Sequence, residues 1–153
     1  MSREILFRGK RTDNGEWVYG GFHKWETRQP CVLGDELKPD EIKYMIIVNS
    51  FADWNMPRNM QAVEVIPTTI GEYTGLPDKN GRKIFEGDIL KFTNSDGEKS
   101  LHIVQWSDEY SGWETQAIDM KYVAERMDFW DDYQECYEVI GNIHDNPELM
   151  EGQ

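Results

Sequence analysis

Short runs of apolar and β-branched residues, each closed by Gly, Asn, Asp or Pro, recur along most of the chain and predict a meander of antiparallel strands. Residues 4–8 and 17–22 flank Asp13-Asn14-Gly15, a primed-turn signal, so they read as an opening hairpin. Residues 44–48 form a compact apolar run between Pro39-Asp40 and Asn49-Ser50, and residues 61–66 alternate before Pro67; each reads as a strand. The pattern centres on residues 65–92, where two arms flank Asp78-Lys79-Asn80-Gly81 and Asn80-Gly81 supplies the positive φ values of a primed two-residue turn. In the second arm, residues 84–92, Gly87 marks a bulge or a sharp bend, which suits a small barrel. Strands at 88–92, 101–106, 113–118 and 137–143, separated by the turn residues 94–98 and Ser111-Gly112, complete the set, with Val104, Trp106 and Val139 expected in the core.

Two segments depart from this pattern. Residues 51–60 mix aromatics and methionines with loop residues and fit neither period, so they read as a long loop in which Trp54 and Met56 either fold onto the core or form a contact patch. In residues 119–135, Met120, Val123, Ala124, Met127 and Trp130 recur at spacings of three and four, which predicts a short helix with Asp119 as its N-cap. Its other side would carry Glu125, Asp128, Asp131 and Asp132, either as a solvated polar face or as an acidic contact surface.

The central stretch, with Thr69-Ile70-Gly71-Glu72-Tyr73-Thr74-Gly75-Leu76, then Asp78-Lys79-Asn80-Gly81 and Phe85-Glu86-Gly87-Asp88-Ile89, resembles the YopX-like family of phage and prophage proteins. The resemblance extends to Phe7-Arg8-Gly9-Lys10 and Gly15-Glu16-Trp17-Val18-Tyr19-Gly20 near the start, and to Val139-Ile140-Gly141-Asn142-Ile143 and Asn146-Pro147-Glu148-Leu149 near the end. It implies a mainly β structure with an SH3-type barrel in the C-terminal half, and it brings no agreed biochemical activity. The expected fold is therefore antiparallel and β-dominated, with an N-terminal hairpin and strands, a C-terminal SH3-type small barrel and one short helix. The 153 residues read as a single YopX-like domain; any subdivision would fall between residues 1–66 and 67–153.

Charge sharpens this picture. The formal net charge is −13, of which residues 1–76 carry −2 and residues 77–153 carry −11. A nucleic-acid-binding surface gains affinity from cations that neutralise phosphates, so the second half argues against direct nucleic-acid binding and favours basic protein partners or plain solubility. Arg8-Gly9-Lys10-Arg11 is the one short basic cluster and reads as a solvated strand end rather than a phosphate site. Cys31 and Cys136 have no CxxC or Cys-His spacing, no apolar leader precedes the first strand, and no apolar run approaches bilayer length. The expectation is reduced thiols in a bacterial cytoplasm and no membrane partner.

Candidate chemistry is sparse. Asp78, Asn80 and Glu86 suggest a calcium loop, but Arg82 and Lys83 occupy the places that such a loop gives to an oxygen ligand and to Gly. His23, His102 and His144 are scattered, and neither a nucleophile elbow nor a phosphate-binding glycine loop is present. No catalytic, metal or cofactor residues are assigned, and no cofactor is expected. The leading expectation is a non-enzymatic module whose partner is another protein or a second copy of itself, with Trp54, Met56, Asp128, Asp131 and Asp132 as candidate contacts. The alternatives are an enzyme whose site draws on Asp88, His102, His144 and Glu72, and an acidic mimic of nucleic acid with carboxylates in duplex-like rows.

Overall fold

The computed structural model describes residues 2–50, 58–119 and 124–151, and antiparallel strands dominate it. The chain divides into two compact units, Ile5–Glu72 and Tyr73–Gln153 with Met1–Glu4.

In the first unit, β1 (Phe7–Lys10), β2 (Trp17–Glu26), β3 (Ile42–Asn49) and β4 (Met60–Glu64) pair in sequence order. The first two residues of β5 (Gly71–Pro77) add to the free side of β1. Alternation along β2 and β3 places Phe22, Tyr44 and Ile46 on one face, where Phe22 packs on Phe7 at 5.5 Å and on Tyr44 at 6.3 Å between centroids. Gly20 is required by close approach, since a Cβ there would meet the Ile47 carbonyl oxygen at 2.0 Å. The expected solvated strand end at 8–11 is not one. Arg8 is buried with its guanidinium 4.6 Å from the centre of the Trp17 ring, Lys10 lies over the same ring, and Arg11 pairs with Asp13 at 2.7 Å. The loop after β2 is tied by Arg28, which bonds both oxygens of Asp35 and one of Glu41 at 2.8–2.9 Å.

In the second unit, β6 (Lys83–Phe85) pairs with the later part of β5, and β7 (Asp88–Thr93), β8 (Lys99–Ser107), β9 (Gly112–Ala117), β10 (Ala124–Arg126) and β11 (Tyr137–Asn142) form one sheet in the order β10-β9-β8-β7-β11. The sheet is barrel-like but does not close. Ile84, Leu90, Val104, Met127, Trp130, Tyr137 and Val139 make its core, as expected for Val104 and Val139. Trp106 is 45% exposed, because near the end of the β8–β9 hairpin its only ring partner among the described residues is Trp113, met edge-on at 5.2 Å. The expected single arm at 84–92 is two strands. Glu86-Gly87 turns between them, with Gly87 at φ +86° and the Asp88 carboxylate accepting from the Phe85 amide at 2.8 Å.

The short helix expected within 119–135 is present but confined to its later part among the described residues. Residues 124–126 are strand β10, and the only α-helical residues are α1 (Trp130–Tyr133). Met127 and Trp130 are buried as the periodicity demanded, but Ala124 is exposed; Met120 and Val123 lie outside the described residues. An apolar spacing of three fits any backbone path that delivers both side chains to the core, and here β10 is drawn into the sheet by pairing with β9.

Neither expected two-residue primed turn forms, because Asn80 and Asn14 keep negative φ and only Gly81 and Gly15 are positive. At residues 78–82 a turn closes with Gly81 N–H bonding the Asp78 carbonyl, and Asp78 N–H then bonds the Arg82 carbonyl across the glycine. The Asp78 side chain, 1% exposed, replaces the missing ladder: Oδ1 accepts from the Asn80 and Arg82 amides at 2.8 and 2.9 Å, and Oδ2 accepts from the Val139 amide on β11 at 3.0 Å. The same carboxyl the calcium reading singled out is thus a backbone acceptor. Asn94 repeats the device in the open, its Oδ1 accepting from Asp96 and Glu98.

Asp78→Asn should lower unfolding free energy by about 1–3 kcal/mol, since an amide NH₂ must then face a buried backbone N–H. Asn94→Ala, in the exposed copy of the same turn, should lose under about 1 kcal/mol. Equal losses in urea titrations of the two variants would remove Asp78 from its structural role.

Candidate functional site

The register of β7, β8, β9, β10 and β11 puts Phe92, Ser100, His102, Thr115, Glu125 and Tyr137 on one face of the second unit's sheet. Two grooves open on this face and share Phe92 and Glu125.

The first, of about 420 Å³, is lined among others by Ser100, His102, Glu98 and Asp119. His102 is 5% exposed, packed edge-on against Phe92 and Tyr137, and burial holds its pKa below the usual value while the charge of Glu125 pulls weakly the other way. Its Nε2 lies 2.9 Å from Ser100 Oγ, and its Nδ1 is buried without a partner. A proton on Nδ1 would be an orphaned donor, so we assign it to Nε2, where it donates to Ser100. A serine nucleophile needs the reverse, with Nε2 accepting and a third group holding Nδ1–H. Proximity therefore gives a structural hydrogen bond rather than an activated nucleophile. Among the described residues Ser100 is the only hydrogen-bond partner of the His102 ring, so neither Asp88 nor His144 joins it in a catalytic cluster, and Glu72 does not supply its missing acid. Asp88 serves the Phe85 amide, and the His144 amide is held by Asn142 Oδ1. Among the described residues no group of His, Cys, Asp and Glu is arranged to hold a metal ion.

The second groove, of about 400 Å³, is lined by Phe92, Thr115, Glu125, Arg126, Met127, Phe129, Trp130, Tyr133 and Tyr137. Trp130 stacks on Tyr137 at 4.7 Å and Phe92 tilts on it at 5.0 Å, so an aromatic floor is already assembled. The Tyr137 hydroxyl donates to Glu125 Oε2 at 3.2 Å, and burial pushes the phenol pKa well up. The buried Thr115 hydroxyl approaches the Tyr137 oxygen without a well-formed hydrogen bond. Phe129 and Tyr133 stand at the rim, 73% and 55% exposed.

Of the expected contact residues, Asp128, Asp131 and Asp132 line a shallow hollow with Leu76, Phe129 and Trp130. Asp128 is already neutralised by Arg126 at 2.7 Å, whereas no ion pair among the described residues engages Asp131 or Asp132 in the first turn of α1. Trp54 and Met56 lie outside the described residues. Glu125, expected on the same helical face as these aspartates, instead sits on β10 opposite Thr115. Sequence reasoning missed Phe129 and Tyr133 as contact candidates, although two aromatics four apart in an acidic segment were a signal.

This arrangement accompanies a family match over nearly the whole chain, since the YopX protein family matches residues 6–151. The chain belongs to the YopX protein family. A crystal structure of protein EF1440 from Enterococcus faecalis is similar to this YopX protein at 24% identity and a TM-score of 0.55, over 97% of this chain and 99% of that one, which supports the fold alone. No curated protein matches it. Among its described residues no helix is long and apolar enough to cross a membrane.

His102 sets a pH dependence. Its folded pKa lies below its unfolded one, so the unfolded chain takes up the proton first and stability, complete above about pH 6.5, falls as pH drops below that value. Urea midpoints measured from pH 7.5 down to 5.5 should decline in the wild type and flatten in His102→Gln; identical slopes would contradict the burial assigned to this ring.

Proposed function

We propose that this YopX protein is a non-enzymatic interaction module whose partner is a protein presenting a basic segment. The observation that carries this reading is the pairing of water-exposed Phe129 and Tyr133 with Asp131 and Asp132 on one short stretch of the second unit. Exposed aromatic rings stabilise nothing in the free chain, whereas at an interface they supply contact area, and carboxylates beside them select a cationic surface. The charge of −11 on residues 77–153 adds a field that draws in such a partner and repels nucleic acid. A phage or prophage setting and a cytoplasmic location complete the proposal. They rest on the family resemblance and on the two free thiols, Cys31 and Cys136.

The enzyme alternative is weakened by the Ser100–His102 geometry, in which the imidazole lacks an orienting acid. Self-association remains a second way to cover the aromatic rim and is separated from a basic partner by its indifference to added peptide.

Titration with a short peptide rich in lysine and arginine tests the reading. Affinity should fall steeply as ionic strength rises past about 0.1 M, where charges are screened beyond roughly 10 Å. Asp131→Asn with Asp132→Asn should weaken binding and flatten the salt slope, while Asp128→Asn should change little because Arg126 already neutralises that carboxylate. Unchanged affinity and slope in the double variant would remove the acidic rim from the account.

A further inference from the structure

We propose that the groove between β10 and α1 takes the guanidinium group of an arginine from the partner's basic segment, with Glu125 as its counter-charge; this rests on the interaction role proposed above. The groove combines three features that separately mean little. Its floor is the buried stack of Tyr137 on Trp130, and the rings it leaves open to a cation are those of Phe129 and Tyr133, whose faces attract positive charge through their quadrupoles. Its edge carries Glu125, whose carboxylate, among the described residues, accepts a hydrogen bond from the Tyr137 hydroxyl alone and meets no cation. That leaves most of the carboxylate's lone pairs unused. At about 400 Å³ the space admits one side-chain terminus beneath the exposed rings of Phe129 and Tyr133.

The chain itself fills an equivalent arrangement on the opposite side of β10. Arg126 lies 4.3 Å from the centre of the Tyr110 ring while pairing with Asp128 at 2.7 Å, so one guanidinium satisfies a ring face and a carboxylate together. Successive residues of a strand point to opposite faces, hence Glu125 offers to its own side what Asp128 and Tyr110 offer to Arg126. Arginine suits the vacant copy better than lysine, because a planar fork stacks on rings and bridges a carboxylate at once, and a guanidinium is less strongly hydrated than an ammonium. An anion is disfavoured: Glu125 lines the groove, and the neighbouring groove adds Glu98 and Asp119 against the single cation Lys99. Arg126, which leaves β10 from the other face and borders the groove at the strand's edge, is the one cation along its lining and is engaged by Asp128.

The test uses the full chain and three peptides that share one sequence and differ at a central arginine, lysine or citrulline. Calorimetry should give the tightest binding for arginine, weaker binding for lysine and none for the uncharged citrulline. Glu125→Gln keeps an acceptor for the Tyr137 hydroxyl, so the fold is retained, checked by near-ultraviolet circular dichroism, while arginine-peptide affinity should fall about tenfold or more. Phe129→Ala, at an exposed position, should also weaken it. Equal binding of arginine and citrulline peptides, or full affinity in Glu125→Gln, overturns the proposal. If Glu125→Gln binds normally while the Asp131 and Asp132 double variant does not, the groove assignment fails and the interaction role survives. If the wild type binds none of the peptides, both fall.

Discussion

The second unit depends on one buried carboxylate. Asp78 gathers three backbone amides, two from its own turn and one from β11, and in doing so fixes the turn at 78–82 to a strand 61 residues later. A side chain bearing two acceptor oxygens and no donor is what that position requires, because every group facing it is an N–H. Around this carboxylate the surrounding backbone is then consumed: Lys79 N–H bonds the Tyr137 carbonyl, the Trp130 indole bonds the Pro77 carbonyl at 2.6 Å, and Gln134 bonds the Asp78 carbonyl. The outer edge of β11, which would otherwise present unpaired groups, is closed by a turn instead of by another strand.

The position of the proposed contact surface follows from the same constraint. α1 is a single turn, too short to hold itself together, so its place is set by the Trp130 and Gln134 bonds and by Trp130 packing on Tyr137. With Trp130 turned inward, Phe129 and Tyr133 have no interior left to enter and remain in water beside Asp131 and Asp132. A buried anchor next to exposed rings makes a rigid rim, and a rigid rim loses less conformational freedom when a partner covers it.

The sheet face beneath this rim is more polar than a small core ordinarily permits. His102, Thr115 and Tyr137 bury a ring nitrogen and two hydroxyls among apolar neighbours; the Tyr137 hydroxyl reaches Glu125, while His102 Nδ1 and the Thr115 hydroxyl find no partner among the described residues. Glu125 supports this layer from β10 by accepting the Tyr137 hydroxyl. In a small sheet that does not close, the open side between β10 and α1 leaves room for groups that a closed core would exclude.

The sequence by itself determined the local structure. β-Branched runs between turn residues placed the strands at 88–92, 101–106, 113–118 and 137–143 within a residue or two, because alternation and turn chemistry act over a few neighbouring positions. It also determined the family, through motifs that span the chain, and the acidic character of the second half. Tertiary structure alone decided what required distant partners. Asp78 looked like a turn residue or a failed metal ligand until Val139 arrived to use its second oxygen. Residues 124–130 carried a helical spacing, yet pairing with β9 made their first three positions a strand, since a ladder partner outweighs weak helical preference in so short a segment. Glu125 consequently moved from the polar side of an expected helix, read as a solvated face or an acidic contact surface, to the edge of an aromatic groove whose rings come from β7, α1 and β11. No local pattern encodes that meeting, because the groove is defined by which strands become neighbours and not by the order of residues along any one of them.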